Sequence, residues 1–282
     1  KNIFITGGAG YIGSHIVIAL SKKGYKPIII DNFANSNKRI IKKLEIITNT
    51  KIIFYNVDIR NKKKLLTIFR KHPCYAVIHC AGFKSVDESI EKPISYFENN
   101  IGSTLSLLEC MRLNKIYKII FSSSAAVYNK NQVLPLKETS NIGNTNNPYG
   151  TSKFVIERIL MDLAKFDNKW SIKIARYFNP ISNHSSGLIK DENSSSVNNL
   201  LSIITKVAQK KLPLVNVVGN NYKTKDGTGI RDYMHVMDLA DAHVLLLKNY
   251  KFQKNLEIYN FGTGKGKTVL EVIKEFEKQT GA

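Results

Sequence analysis

Residues 6–15 read Thr-Gly-Gly-Ala-Gly-Tyr-Ile-Gly-Ser-His, which sets Gly7, Gly10 and Gly13 at three-residue spacing. Ahead of them lies the strand-like run of residues 3–6, and after them Ile12, Ile16 and Leu20 recur at helical spacing. The glycines therefore occupy a strand-to-helix turn. Glycine there lets the chain turn tightly and approach a pyrophosphate, while the helix starting near Tyr11 offers unpaired N–H groups and the positive end of its dipole to that anion. An ordinary strand-to-helix turn uses glycine too, so the triplet needs support from elsewhere in the chain.

Asp31 supplies some of it, closing the next strand-like run 18 residues after Gly13. A carboxylate at that point accepts both ribose hydroxyls of an adenosine and repels a 2′-phosphate, which favours NAD over NADP. Arg39 stands close by as the feature that favours the phosphorylated cofactor. Outward from this core, strand-like runs at residues 27–31, 52–56, 76–80, 118–122 and 171–177 alternate with amphipathic segments such as the one carrying Leu65, Ile68 and Phe69. Such alternation predicts an α/β fold, a Rossmann-type doubly wound parallel sheet. Past Pro180 the pattern breaks: residues 182–199 are rich in Ser and Asn, and residues 215–228 mix short apolar runs with Gly, Asn and charge. We expect an NAD-binding Rossmann domain over residues 1–180 and a mixed region with a smaller substrate-binding lobe over 181–282. Within the second, helices are expected at 200–210, 236–248 and 268–279, and a short strand at 257–261.

With 282 residues and 43% hydrophobic composition the chain can bury a large core. No apolar run approaches the roughly 18 residues a membrane span needs, and with the first strand starting almost at residue 1 we expect no signal peptide. The three cysteines, Cys74, Cys80 and Cys110, show no C-x-x-C pairing, which fits a reducing cytoplasm better than a disulfide framework. A net charge of +20 raises nucleic acid as a partner. The lysines are scattered, however, as in Lys22-Lys23, Lys62-Lys63-Lys64 and Lys210-Lys211, with no basic stripe interleaved with aromatics. We expect neither nucleic acid nor membrane as a partner. His235 and Asp238, three apart, read as a helix-start arrangement, and no metal site is expected.

Ser122, Ser123 and Ser124 end one strand, and Asn147-Pro148-Tyr149 opens a helix that carries Lys153 one turn on. Asn147 suits the N-cap and proline the first helical position. Tyr149 and Lys153 at i and i+4 share a face, which reads either as a surface pair or as a tyrosinate base beside a cation. Lowering a phenol pKa from about 10 to about 7 takes roughly 4 kcal/mol, and one unit charge at about 4 Å supplies that order at an effective dielectric near 20, so an ammonium and an oxidised nicotinamide together are expected to do it. Joined to the glycine turn, Asp31 and the strand-end serine, Tyr149, Lys153 and Ser124 become the catalytic candidates.

These residues belong to a longer series of motifs: TGGAGYIGSH from Thr6, Asp31-Asn32, Asp58-Ile59-Arg60, Ala81-Gly82, SSSAAVY from Ser122, NPYGTSK from Asn147, RYFNP from Arg176 and GTGIRDYMHVMDLA from Gly227. On them the chain resembles the extended short-chain dehydrogenase/reductase family along essentially its whole length, and the last two point to the epimerase branch. The resemblance implies NAD-dependent interconversion of UDP-glucose and UDP-galactose, and so a part in galactose metabolism. Tyr149 would take the proton from the sugar 4-hydroxyl as hydride leaves C4, Ser124 would hydrogen-bond the reacting oxygen, and Lys153 would tune Tyr149 and bind the nicotinamide ribose. The keto sugar would then turn, and hydride would return to its opposite face.

By position, the resemblance assigns Tyr11, Ile12, Asp31, Asn32, Asn35, Ser36, Asp58, Ile59, Cys80, Ala81, Gly82, Lys84, Asn99 and Phe178 to NAD, beside the three motif glycines. It assigns Asn179, Asn199, Leu200, Asn216, Val217, Val218 and Arg231 to the UDP-sugar. Arg231 suits a diphosphate, whose oxygens match a guanidinium with paired hydrogen bonds; an ion pair with Asp232 is the structural alternative. A homodimer through helices around residues 95–113 and 149–165 is implied as well.

Some positions depart from the family pattern. Cys80 stands where an aromatic is common, Asp87 where a small residue is usual, and Asn129 where glycine normally follows Val-Tyr. Relatives also continue for several dozen residues beyond position 282, adding an arginine and an acid to the substrate clamp. Without them we expect weaker sugar-nucleotide binding and an intact NAD site. Two rival functions are a nucleotide-sugar dehydratase and an NAD-binding protein without turnover. Dehydration needs an Asp-Glu pair after the serine, where this chain has Ala125-Ala126.

Overall fold

A computed structural model describes residues 1–129, 132–189, 200–250 and 255–281. The first half runs β1 (Asn2–Thr6), α1 (Tyr11–Lys22), β2 (Lys26–Asp31), α2 (Ile40–Thr48), β3 (Ile53–Asn56), α3 (Lys62–Lys71) and β4 (Ala76–His79). It continues with α4 (Val86–Glu91), α5 (Pro93–Phe97), α6 (Ser103–Leu113), β5 (Lys118–Ser124), α7 (Pro148–Phe166) and β6 (Ser171–Tyr177). The remainder comprises β7 (Asn179–Ile181), α8 (Leu200–Ala208), β8 (Ile230–His235), α9 (Val236–Lys248), β9 (Leu256–Phe261), β10 (Gly266–Thr268) and α10 (Val269–Thr280).

Seven strands form one sheet in the order β3-β2-β1-β4-β5-β6-β9, every neighbouring pair parallel. Its inner strands, β2, β1, β4, β5 and β6, are largely buried on both faces, which is why they read as near-continuous apolar runs, while the edge strands β3 and β9 are only partly buried. Successive side chains of β1 go to opposite sides: Ile3 and Ile5 meet Ile16 and Leu20 of α1, while Phe4 meets Leu65 and Phe69 of α3. The chain reverses its direction of travel between β1 and β4, so a crevice opens at the carboxyl ends of those strands.

The second half departs from expectation in two ways. A small sheet, β10-β8-β7, forms where no strands are expected; β7 and β10 have only three residues each, and β7 contains Pro180. The expected strand near residue 257 does form, but it joins the large sheet, pairing along β6 from Ile172↔Leu256 to Tyr177↔Phe261. α9 also packs Leu239, Val244 and Leu247 into the core that holds α1. A boundary at residue 180 therefore does not separate the layers of the Rossmann unit; β9 and α9 belong to it, because β6 is an open edge until β9 covers it.

Smaller details follow local chemistry. Thr268 N-caps α10 in a reciprocal capping box with Glu271, and His235 caps α9 by accepting from the Met237 N–H, as a helix-start arrangement requires. Asn129 does not adopt a left-handed backbone; its N–H donates to the Asn141 carbonyl at 3.0 Å, so glycine is not needed there.

Candidate active site

The glycine turn is held by two contacts no side chain could share. Gly7 has φ of +69°, and a Cβ there would stand 2.6 Å from the Ala81 nitrogen; on Gly13 it would stand 2.2 Å from the Gly7 carbonyl oxygen. Gly10 is less confined: its φ is −75° and the nearest atom to an added Cβ is 3.3 Å away. It forms the N-cap of α1, whose first turn contains no acid, so neither a capping oxygen nor a carboxylate competes with an incoming anion.

Asp31 closes the adenosine end. Its Oδ2 accepts from the Ala9 N–H at 2.9 Å and its Oδ1 from the Phe33 N–H at 2.8 Å and the Ser36 hydroxyl at 3.3 Å. Burial raises its pKa, and those three hydrogen bonds oppose the rise. One groove brings Asp31 together with Gly7, Gly10, Asn32, Asn35, Ser36, Asp58, Ile59, Cys80, Ala81, Gly82 and Asn99, all expected from the sequence. Ile30, Ala34, Val57, Phe83 and Ser103 line it too, without having been singled out. The first four adjoin a residue already chosen, and Ser103 lies four residues after Asn99. Asn99 rides on a single π-helical turn, Glu98–Gly102, a distortion common at functional sites. Asp58 is held by Arg60 at 3.0 and 2.6 Å, which drops its carboxyl to about 2.

Other expected residues lie beside the groove rather than on its wall. The Tyr11 hydroxyl donates to the Ser182 carbonyl at 2.5 Å, and the Lys84 ammonium lies 5.7 Å from the Tyr11 ring centre. Ile12 packs onto the core, Gly13 supports Gly7, and the Phe178 N–H donates to the Phe261 carbonyl at 3.0 Å.

At the far end of the groove β5 delivers its serines. α7 starts beside them, with the Asn147 side chain accepting from the Gly150 N–H at 2.8 Å and Pro148 in the first turn. The Ser124 hydroxyl accepts from the Ala126 N–H at 3.2 Å and lies beside the Tyr149 phenol. Burial raises the phenol pKa above its ordinary value, and Ser124 works against that rise. Lys153 is 6% exposed, donates to the Ser122 carbonyl at 2.8 Å and lies 4.9 Å from the Phe121 ring centre. Burial lowers its pKa to about 8, opposed by Cys80 and Glu157. The expected depression of the Tyr149 pKa, which calls for an oxidised nicotinamide beside the ammonium, is not produced by the protein's own groups. Desolvation outweighs the Ser124 contribution, and Lys153 is anchored on the strand.

The groove and this cluster share a wall. A Cβ on Gly82 would stand 3.7 Å from the Lys153 ammonium, and the Ser122 hydroxyl donates to the Cys80 sulfur at 3.0 Å. Behind that wall the Tyr177 hydroxyl lies 2.7 Å from the Ser122 hydroxyl and 2.7 Å from Nε2 of His243. The Cys80 thiol is pushed up to about 11 by burial.

In the second half, Arg231 lies exposed on β8, with Nη1 donating to the Ile230 carbonyl at 2.7 Å. It makes no ion pair with Asp232: that carboxylate accepts from the Thr263 N–H at 2.9 Å, the Thr263 hydroxyl at 2.6 Å and the Gly264 N–H at 2.8 Å. Asn179 donates to the Asp232 carbonyl at 3.0 Å, Leu200 opens α8, and Asn216, Val217 and Val218 lie on an irregular, partly exposed segment. Asn199 lies outside the described residues.

Comparison with known proteins agrees with this layout. The family model described as "NAD dependent epimerase/dehydratase family" matches residues 3–262. UDP-glucose 4-epimerase of Yersinia enterocolitica is 49% identical over 280 residues, covering 99% of this chain and 83% of that protein. Two solved structures superpose over all of this chain. The UDP-glucose-4-epimerase of Stenotrophomonas maltophila, with bound NAD and formylated UDP-arabinopyranose, has a TM-score of 0.97 at 40% identity and is 83% covered. That of Bifidobacterium longum, in complex with NAD+ and UDP, has a TM-score of 0.95 at 44% identity and is 84% covered. The glycine turn, the acid at the end of β2 and the Ser124–Tyr149–Lys153 cluster stand on a fold and a sequence shared along the whole chain, which belongs to the NAD dependent epimerase/dehydratase family.

Proposed function

We propose that this protein interconverts UDP-glucose and UDP-galactose by NAD-dependent oxidation and reduction at C4 of the sugar. The observation that carries the reading is the convergence of Ser124, Tyr149 and Lys153 beside the glycine-lined groove, with the Lys153 ammonium on the shared wall. The groove suits NAD: an acid-free helix N-terminus faces the pyrophosphate position, and a buried carboxylate stands at the adenosine ribose. When bound, NAD supplies the hydride acceptor and donor.

The chain's own residues handle the proton. Tyr149 receives it from the sugar 4-hydroxyl and returns it on the reverse step, while Ser124 holds the reacting oxygen in line. Burial raises the Tyr149 pKa, so the phenol keeps its proton unless a positive charge lies beside it, which bound NAD would supply. Lys153, tied to Ser122, would hold the nicotinamide ribose with its ammonium. Arg231, left without a carboxylate partner among the described residues, is assigned to the diphosphate, and Asn179, Asn199, Leu200 and Asn216 to Val218 to the rest of the nucleotide sugar. Ala125 and Ala126 after Ser124 offer no acid for elimination, which supports epimerisation over dehydration.

We also infer a homodimer through the helices around residues 95–113 and 149–165, supported by Ile94, Leu105 and Leu113, which are 72%, 48% and 54% exposed. Three free thiols suit a reducing cytoplasm, and no described helix is long and apolar enough to cross a membrane. A coupled spectrophotometric assay from UDP-galactose to UDP-glucose tests the activity. NAD retained without turnover would leave only a cofactor-binding protein.

A further inference from the structure

Tyr149, Lys153 and Glu157 succeed one another at i, i+4 and i+8 on one face of α7, and Glu157 has 0% exposure. Its carboxylate is fully engaged. Oε1 accepts from the Ser123 hydroxyl at 2.5 Å and from Nε of Arg176 at 3.0 Å, and Oε2 accepts from Nη2 of Arg176 at 2.7 Å. Arg176, on β6 and 1% exposed, turns Nη1 to the Tyr128 hydroxyl at 2.9 Å and the Glu138 carbonyl at 3.1 Å. Tyr128 in turn donates to Oδ1 of Asn260 at 2.6 Å, on β9 shortly before the Thr263-Gly264 turn that Asp232 grips. Bonds therefore run unbroken from Ser123, the neighbour of Ser124, to the strand leading into the arm beside Arg231.

The surroundings are apolar, with Ile156, Leu160, Phe121 and Ile174 filling the space between α7, β5 and β6. Desolvating a carboxylate and a guanidinium there is expensive, and apolar side chains of similar volume commonly stabilise a core as well or better. Stability is thus a weak reason for the pair. Direction is a stronger one: a side-on Arg–carboxylate fork fixes angles as well as distances, which packed leucines do not.

We propose that Glu157, clamped by Arg176, is a positioning residue that holds the end of β5 through Ser123, so that Ser124 keeps its place beside Tyr149. The inference rests on the roles given above to Ser124 and Tyr149. It makes the third turn of the Tyr-Lys face part of the reaction geometry without contact to substrate or cofactor.

Ser123→Ala is the cleanest test, because it removes one donor from Glu157 and leaves the Arg176 pair intact. In the NAD-loaded enzyme we expect kcat to fall about tenfold, with KM for UDP-galactose within about twofold and NAD content unchanged. Glu157→Gln, which sets an amide donor against the guanidinium, lowers kcat further; should it fail to fold, Ser123→Ala decides alone. A second readout is the 13Cζ resonance of Tyr149 in tyrosine-labelled protein, assigned by its loss in Tyr149→Phe and expected to be displaced in Ser123→Ala. A merely structural pair would lower Tm and leave kcat and the resonance where they were, and that result overturns the proposal. If the wild-type protein binds NAD without turning over UDP-galactose, the reading of the reaction fails, and the Tyr149 resonance still decides the positioning role.

Discussion

The Lys153 ammonium donates to the Ser122 carbonyl across 2.8 Å, tying the helix that presents Tyr149 to the strand that presents Ser124. One side chain thereby serves as both charge and tether. Lys153→Met keeps the volume and loses both, so kcat should drop by about two to three orders of magnitude and NAD should dissociate more readily. Tyr149→Phe should cost at least as much in kcat while NAD content stays at the wild-type level. Steady-state kinetics and the absorbance of released cofactor separate the two, and an unimpaired Tyr149→Phe enzyme would remove the proposed base.

Arg231 is exposed and spends one donor on its own strand, while Asp232 is occupied elsewhere. Arg231→Ala should therefore leave Tm unchanged and weaken UDP binding by about 1.5 to 3 kcal/mol, with NAD affinity untouched. Arg231→Lys should recover part of the loss, because an ammonium cannot pair with two diphosphate oxygens at once. Calorimetric titration with UDP measures both; a large fall in Tm would instead assign Arg231 to the fold.

The motif glycines should not respond alike. Gly13→Ala forces a Cβ to within 2.2 Å of a backbone oxygen, and we expect it to yield little folded protein. Gly10→Ala meets nothing closer than 3.3 Å, so it should fold with a Tm near wild type but bind NAD more weakly, the methyl narrowing the approach of the pyrophosphate. Thermal melts with and without NAD distinguish the cases.

Acid should loosen the fold before carboxylates dominate. His79 lies 2.7 Å from the Thr6 hydroxyl and 2.8 Å from that of Thr104; burial holds it at about 3 and holds His243 at about 4. Both folded values lie below the ordinary 6.5, so between about 6.5 and 4 the unfolded chain binds more protons and stability falls as pH falls. From pH 7 to pH 5 each histidine should remove about 2 kcal/mol. Urea unfolding across that range is the check, and His243→Asn should flatten the profile.

Where a residue's placement is enforced within a few positions, it is readable from the letters alone. Gly7 and Gly13 are demanded by the turn itself, Asp31 by its place at the end of β2, and the shared face of Tyr149 and Lys153 by one helical turn. Glu157 lay one turn beyond and was missed, although the same spacing pointed to it. Other features depend on partners far along the chain: Asp232 meets Thr263 across 31 positions, and no local pattern announces it. The raised pKa of Tyr149 is a property of burial, which spacing cannot report.

β9 carries one more consequence. Six residues from 256 onward complete a sheet whose other strands all precede residue 178. During synthesis the chain must hold β6 as an unsatisfied edge, and the α1 side of the core without α9, while the small lobe is still being made. A polypeptide ending before residue 256 would thus present the long, buried β6 as a sticky margin to its neighbours, which the late strand covers when it slots home.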